Sequence, residues 1–310
     1  MKRFTAAAVQ FAPVHTSDPD CVQKNLDRAH AWLVEAKRQS GAELFVLPES
    51  FTTGFTPAGA PADARTTLWN AVDTIPGKLT DVGIDWAREL DAYIVFPTYE
   101  RGPTPEVLYN SAALIGPEGL LGVYRKTHPF ASERIVEGVD GNVVQGWTTP
   151  GHAPLCVETR LGKIGVIICY DGDFPELSRV TALLGAEVIC RPSAFMRTFD
   201  HWELTNRARA YDNHVYWIAT NAVGLDASGA YCFGGSMIVH PNGVKLAQAR
   251  GGEEAVWASL DPDPIRTVTP NSTAEQHFDH LQDRNLLSYA DILTEGMSAF
   301  EPAKRVPYER

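Results

Sequence analysis

Three reactive side chains each stand where an apolar run stops. Glu49 ends VLPE (46–49), Lys126 lies in VYRKTHPF (123–130), and Cys169 lies in VIICYDGDFPE (166–176). A carboxylate, an ammonium and a thiol form a working set for acyl transfer. The thiol attacks a carbonyl-type carbon. The carboxylate takes the thiol proton and later activates water, and the ammonium stabilises the oxyanion. The three are far apart in the chain, so only a fold can bring them together. Strand ends in α/β sheets are where ligands usually bind.

The elements that must position them alternate in type. FTAAAVQFA (4–12) reads as a buried strand. Val22, Leu26, Ala29, Leu33 and Ala36 then mark one face of a helix. LFVLP (44–48) is a short strand ending at Glu49. Val82, Trp86 and Leu90 mark a second helix, and AYIVFPTYE (92–100) a third strand. LYNSAALIGPEGLLGVYRK (108–126) reads as a hairpin that delivers Lys126. In the second half, KIGVIIC (163–169) is a strand ending at the thiol. PELSRVTALLGA (175–186) is a helix with Pro175 in its first turn. EVICRPS (187–193) is a strand, HWELTNRARAYDN (201–213) a helix, and VYWIATNAVG (215–224) a strand. FGGSMIVHPNGVKLAQA (233–249) is a hairpin and VWASLD (256–261) a last strand. Gly172, just after the thiol, is read as the residue that permits a sharp turn. Strands alternating with helices predict an α/β fold of layered sheets and helices. Residues 1–261 read as one domain. Residues 262–310, including QHFDHLQDRNLLSY (276–289), read as a tail that packs on the body or on another subunit.

Bulk properties narrow the function. The chain has 310 residues, 44% of them hydrophobic, and a formal net charge of -11. That balance disfavours nucleic acid and anionic membranes as main partners. No run approaches the roughly 20 apolar residues of a membrane helix. MKRFTAAAVQFAPV lacks a cleavage site and reads as a strand, so a cytoplasmic location is expected. Five cysteines, odd in number and without a CxxC pair, argue against a disulfide framework. Cys156 and Cys190 read as packing residues, and Cys232 less firmly so. His277 and His280 in HFDH lack a third ligand, so no metal is expected.

The segments PES (48–50), YRKTHPF (124–130) and ICYDGDFPE (168–176), in this order, resemble the Glu, Lys and Cys motifs of the nitrilase superfamily of carbon–nitrogen hydrolases. YNSA (109–112), RARAYDNHVYWIATNAVG (207–224) and GGSMIVHPNG (234–243) fit other segments of that family. The resemblance implies an αββα sandwich and a thiol mechanism without a cofactor. It makes Cys169 the nucleophile, Glu49 the general base, and Lys126 the oxyanion holder, helped by the Tyr170 N–H. Glu133 in THPFASER fits the family's further glutamate, with Glu137 of the Glu137–Gly138 pair as its competitor. The family's paired sandwiches imply a homodimer or a higher homo-oligomer.

For substrate, CYDGDFPE is most similar to amidase motifs, including CDDGNYPE. Tyr170 and Asp171 stand where nitrilases usually carry Trp and Glu. An acid at Asp173 should repel an α-carboxylate. A small neutral or cationic primary amide, hydrolysed to acid and ammonia with water, is therefore the leading expectation. Phe130, Tyr170 and Phe195 are read as its pocket wall. Nitrile hydrolysis and N-carbamoyl amine hydrolysis remain alternatives. So does, more remotely, a fold kept only for binding or assembly, whose simplest sign would be loss of Glu49, Lys126 or Cys169.

Overall fold

Parallel neighbours in a sheet need a crossover, and the helices between the apolar runs supply it. The computed structural model describes residues 1–59, 63–133, 136–137, 143–144, 146–262 and 280–293. The first sheet has the order β16(Glu254–Leu260)–β1(Phe4–Gln10)–β2(Leu44–Val46)–β3(Tyr93–Arg101)–β4(Leu108–Gly116)–β5(Gly119–Arg125). Its centre, β1–β2–β3, is parallel, and its edges are antiparallel. The second sheet repeats the plan. Its order is β15(Lys245–Gln248)–β14(Met237–Val239)–β11(Tyr216–Asn221)–β10(Val188–Ser193)–β9(Gly162–Val166)–β8(Leu155–Thr159). Here β9–β10–β11 are parallel. Two small ladders complete the set: β6(Val136–Glu137) with β7(Val143–Val144), and β12(Val223–Leu225) with β13(Tyr231–Phe233).

Side-chain alternation decides what each face buries. In the first sheet Ala6, Ala8, Leu44, Val46 and Val95 point to the second sheet. There they join Val166, Val188, Ile218 and Ile238 in the inner core. Their neighbours Ala7, Val9, Phe45, Ile94 and Phe96 point outward, onto helices α1(Cys21–Ser40) and α3(Lys78–Leu90). Leu26, Ala29, Leu33 and Ala36 of α1 and Trp86, Ala87 and Leu90 of α3 cover them. Helix α4(Pro175–Leu183) and helix α5(Phe199–Asn213) lie on the second sheet, where Ala182, Trp202 and Ala210 join its core. The layers are helix, sheet, sheet, helix: an αββα sandwich.

Three details differ from the sequence reading. A short helix, α2(Ala64–Ala71), and strand β8 had no clear periodic signal. The strand read as 163–169 ends at Val166; Ile167 N–H still reaches Cys190 O, and then the chain turns. The sharp turn is taken by Cys169 itself, at φ 47°, not by Gly172. Of the tail, residues 280–293 are described. Arg179 Nη1 on α4 donates to His280 O at 3.1 Å, and Leu281 packs against the inner core. His277 lies outside the described residues.

Candidate active site

The ends of β2, β5 and β9 converge between the two sheets. Glu49 follows β2, Lys126 follows β5, and Cys169 opens a 3₁₀ turn, Cys169–Asp173, after β9. All three are buried, as is Glu133. Lys126 Nζ donates to Glu49 Oε1 at 2.7 Å and to Glu133 Oε2 at 2.5 Å. Asn110 Nδ2, on β4, reaches both acids at 2.8 Å. The other oxygen of Glu49 accepts from the Ala194 N–H at 2.8 Å, just past β10. Glu49 is thus held by both sheets at once. Glu133 Oε2 also accepts from the Phe130 N–H at 2.8 Å, which folds THPFASE back on itself. The competing residue, Glu137, sits in β6, and its side chain lies outside the described residues.

Backbone strain marks the same places. Among the described residues, four non-glycine residues have positive φ. Asp91 and His214 end α3 and α5, a common use of that conformation. The other two, Ser50 and Cys169, adjoin or carry a reactive group, at φ 49° and 47°. Such conformations cost on the order of 1–3 kcal/mol and persist only where the surroundings impose them.

The loop bearing Lys126 and the turn bearing Cys169 are tied by Asp171. Its buried carboxylate accepts from Tyr124 Oη at 2.7 Å, from the His128 N–H at 2.9 Å and from the Ile168 N–H at 3.0 Å. The His128 ring stacks on Phe174, centroids 3.8 Å apart. Asp171 is therefore spent on structure. Asp173 likewise bridges Arg191, at 3.3 Å, and Arg197, at 2.6 Å. Neither acid stands free to oppose a negative charge on the thiol.

Burial sets the electrostatics. It pushes the Cys169 thiol well above its ordinary range, and the facing Glu49 carboxylate adds to this; Lys126 and Arg191 pull the other way but do not win. Burial and Glu49 therefore both oppose ionisation of the resting sulfur. Desolvation would lower Lys126, but Glu133 and Glu49 outweigh it and hold the ammonium well above its usual range. Glu133 is raised, by burial first and then by Glu49, against the pull of Lys126.

A narrow depression opens onto the thiol. Phe130, Tyr170 and Phe195 line it, together with Phe55, Met196 and Arg197. The Arg197 guanidinium lies over the rings of Phe195 and Tyr170, at 4.5 and 5.6 Å.

Sequence comparison gives the family. The family described as carbon-nitrogen hydrolase matches residues 5–269. The chain belongs to the carbon–nitrogen hydrolases. This hydrolase is 35% identical over 268 residues to a nitrilase of Pyrococcus abyssi, covering 86% of this chain and 92% of that one. It is 32% identical over 285 residues to the omega-amidase NIT3 of Saccharomyces cerevisiae, covering 89% and 95%. Among solved structures, a carbon-nitrogen hydrolase from Helicobacter pylori superposes with a TM-score of 0.75 at 25% identity, over 94% of this chain and 99% of that one. The enzyme therefore acts on carbon–nitrogen bonds other than peptide bonds.

Sequence reasoning had no specific signal for three features of the hydrolase's site. Asn110 lies inside YNSA, but nothing marks its amide as a bridge between two acids. The Ala194 N–H is a backbone group, invisible to side-chain patterns. Arg191 interrupts the apolar strand VICRPS, but the sequence shows neither that its guanidinium is buried nor what it grips. Among the described residues, no group of three or more His, Cys, Asp or Glu is placed to hold a metal ion. No helix among them is long and apolar enough to cross a membrane.

Proposed function

We propose that the enzyme hydrolyses a small primary amide to a carboxylic acid and ammonia through a thioester on Cys169. The observation that carries this reading is the buried cluster in which Glu49 and Glu133 share the Lys126 ammonium beside the Cys169 thiol. A thiol that resists ionisation needs a base at the moment of attack, and the Glu49 carboxylate faces it. Sulfur forms a bond to the amide carbon as its proton passes to Glu49. The carbonyl π electrons move to oxygen, where Lys126 Nζ and the Tyr170 N–H receive them. Collapse re-forms the carbonyl and expels ammonia, which takes the proton from Glu49. Water then attacks the thioester, giving a proton to Glu49, and the thiol leaves with that proton. Glu133 and Asn110 hold Lys126 and Glu49 in place during both halves.

The narrow, aromatic depression suits short acyl groups. One observation favours a second reading of the acyl end. Asp173 is paired, and among the described residues lining the depression the charged side chain is its partner Arg197. An amide with a distal carboxylate fits that guanidinium, as the name omega-amidase suggests for the yeast relative. We also assign to the protein a homodimer or larger homo-oligomer and a cytoplasmic setting.

The test is ammonia release from matched short amides, ω-monoamides of dicarboxylic acids, nitriles and N-carbamoyl amines, for wild type and Cys169→Ala in parallel. Amide turnover lost in the variant supports the reading. Faster turnover of nitriles or N-carbamoyl amines moves the enzyme to another branch with the same residues. Activity that survives in Cys169→Ala overturns the mechanism.

A further inference from the structure

Arg191 is a fully buried guanidinium in the middle of β10. Burying a charge costs several kcal/mol unless it is paired and fully hydrogen-bonded. Its partners are therefore informative. Nη1 donates to Thr205 Oγ1 at 2.9 Å and Asn206 Oδ1 at 2.7 Å, both on α5. Nη2 donates to Asp173 Oδ1 at 3.3 Å. Nε, the remaining edge of the fork, donates to the backbone carbonyl of Cys169 at 2.7 Å. The Phe195 and Trp202 rings pack against the guanidinium, at 5.7 and 5.2 Å. Gly172 makes the room: a Cβ there would stand 2.3 Å from Arg191 Cζ. Arg209, also on α5, holds the next part of the turn. Its Nε donates to Gly172 O and its Nη2 to Asp173 O, both at 3.2 Å.

The Cys169 carbonyl belongs to the same peptide unit as the Tyr170 N–H. The Cys169–Tyr170 bond is not among the cis peptides, so the unit is trans and planar, with C=O and N–H pointing in opposite directions. Whatever fixes the carbonyl fixes the N–H. A cation on the carbonyl oxygen also draws electrons along the amide and makes the N–H a stronger donor. In a left-handed turn at Cys169 this plane would otherwise relax easily.

We propose that Arg191 is a positioning residue of the reaction: from the far side of the elbow it orients and polarises the Cys169–Tyr170 peptide, so that the Tyr170 N–H is aimed at the oxyanion. This rests on the reading above, in which that N–H receives the carbonyl oxygen. It assigns the buried charge a role in the transition state and not in substrate binding. It also explains why position 172 must be glycine.

The test separates carbonyl chemistry from thiol chemistry in wild type, Arg191→Gln and Arg191→Lys. Each protein is assayed for kcat and KM on an amide that wild type hydrolyses. Each is also assayed for alkylation of Cys169 by iodoacetamide, followed on the Cys169 peptide by mass spectrometry. Alkylation attacks a saturated carbon and builds no oxyanion. In Arg191→Gln, kcat should fall about 100-fold, the range seen when one oxyanion donor is lost, with KM within about threefold. Arg191 also favours the thiolate, so alkylation should fall, but by no more than about tenfold, well short of the fall in kcat. Arg191→Lys, which keeps a charge and a donor, should recover about tenfold of the lost kcat. Thr205→Val removes one acceptor of the fork and leaves the charge buried. It carries the test if Arg191→Gln does not fold, and should lower kcat about fivefold with alkylation unchanged. Hydrolysis and alkylation falling by the same factor in Arg191→Gln, or kcat unchanged in the variants, overturns the inference. If wild type hydrolyses amides through Cys169 while Arg191→Gln keeps its kcat, only this inference fails. If ammonia release survives in Cys169→Ala, the underlying reading fails instead.

Discussion

The two halves of the sandwich share a topology and differ in chemistry. The first sheet and its loops carry the buried charged cluster and the amide that bridges it: Glu49, Lys126, Glu133 and Asn110. The second carries the sulfur and the backbone around it: Cys169, Arg191 and the Ala194 N–H. They also differ outside. Helices α1 and α3 turn their apolar faces inward, and Val34 is their one exposed large hydrophobic residue. Helices α4 and α5 expose Val180, Leu183, Phe199, Leu204 and Tyr211, with Leu184 at the end of α4. A helix layer needs one apolar stripe for its own sheet. A second apolar face on α4 and α5 is exposed among the described residues, and the proposed homo-oligomer would bury it.

The sharpest way to break the comparison is to remove one chemical group from each half. Cys169→Ala should lower kcat/KM by at least about 10⁴-fold, and Glu49→Gln should come close to that, because the two act as a unit. The double variant should be hardly worse than Cys169→Ala alone; additive losses would mean that the halves work independently. Lys126→Met should lose activity and also stability. It leaves Glu49 and Glu133 buried without their cation, worth about 3–5 kcal/mol, read in denaturant melts. A variant as stable as wild type would mean that the acids are protonated without cost.

That cluster shows how much was legible beforehand. The apolar runs and their periodicity located the main strands and all helices but α2. Glu49, Lys126 and Cys169 stood out only as a joint pattern, since each alone is an ordinary residue, and Glu133 only through the family resemblance. The strained elbow at Cys169, the Asn110 bridge and the Arg191 clamp were not legible. They depend on which loops meet, and no local spacing encodes that. The role first given to Gly172 fell for the same reason: its lack of a side chain serves a neighbour far along the chain.

A subtler contrast concerns pH. An ordinary thiol ionises near about 8.5. Cys169 is raised by burial and Glu49, so at a given pH less of it is thiolate than of an ordinary cysteine. Its iodoacetamide alkylation should therefore keep rising with pH beyond that point, without the plateau of a free thiol. A plateau that begins near 8.5 would show that Lys126 and Arg191 cancel the burial. The smallest effect is expected on the outside. Leu183→Glu or Leu204→Glu should shift sedimentation toward monomer while leaving kcat within about threefold, because neither residue touches the site. Sedimentation of wild type as a monomer would remove the reason for the second apolar face.

Glu49 is gripped by Lys126 from one sheet and by the Ala194 N–H from the other. This has a consequence for how the enzyme fails. A slip of one sheet over its partner by even an ångström would part the base from one of its two anchors, long before the apolar layer between the sheets came open. Catalysis should then be lost ahead of the unfolding transition on heating. Turnover is, in that sense, a gauge of the alignment of the two sheets.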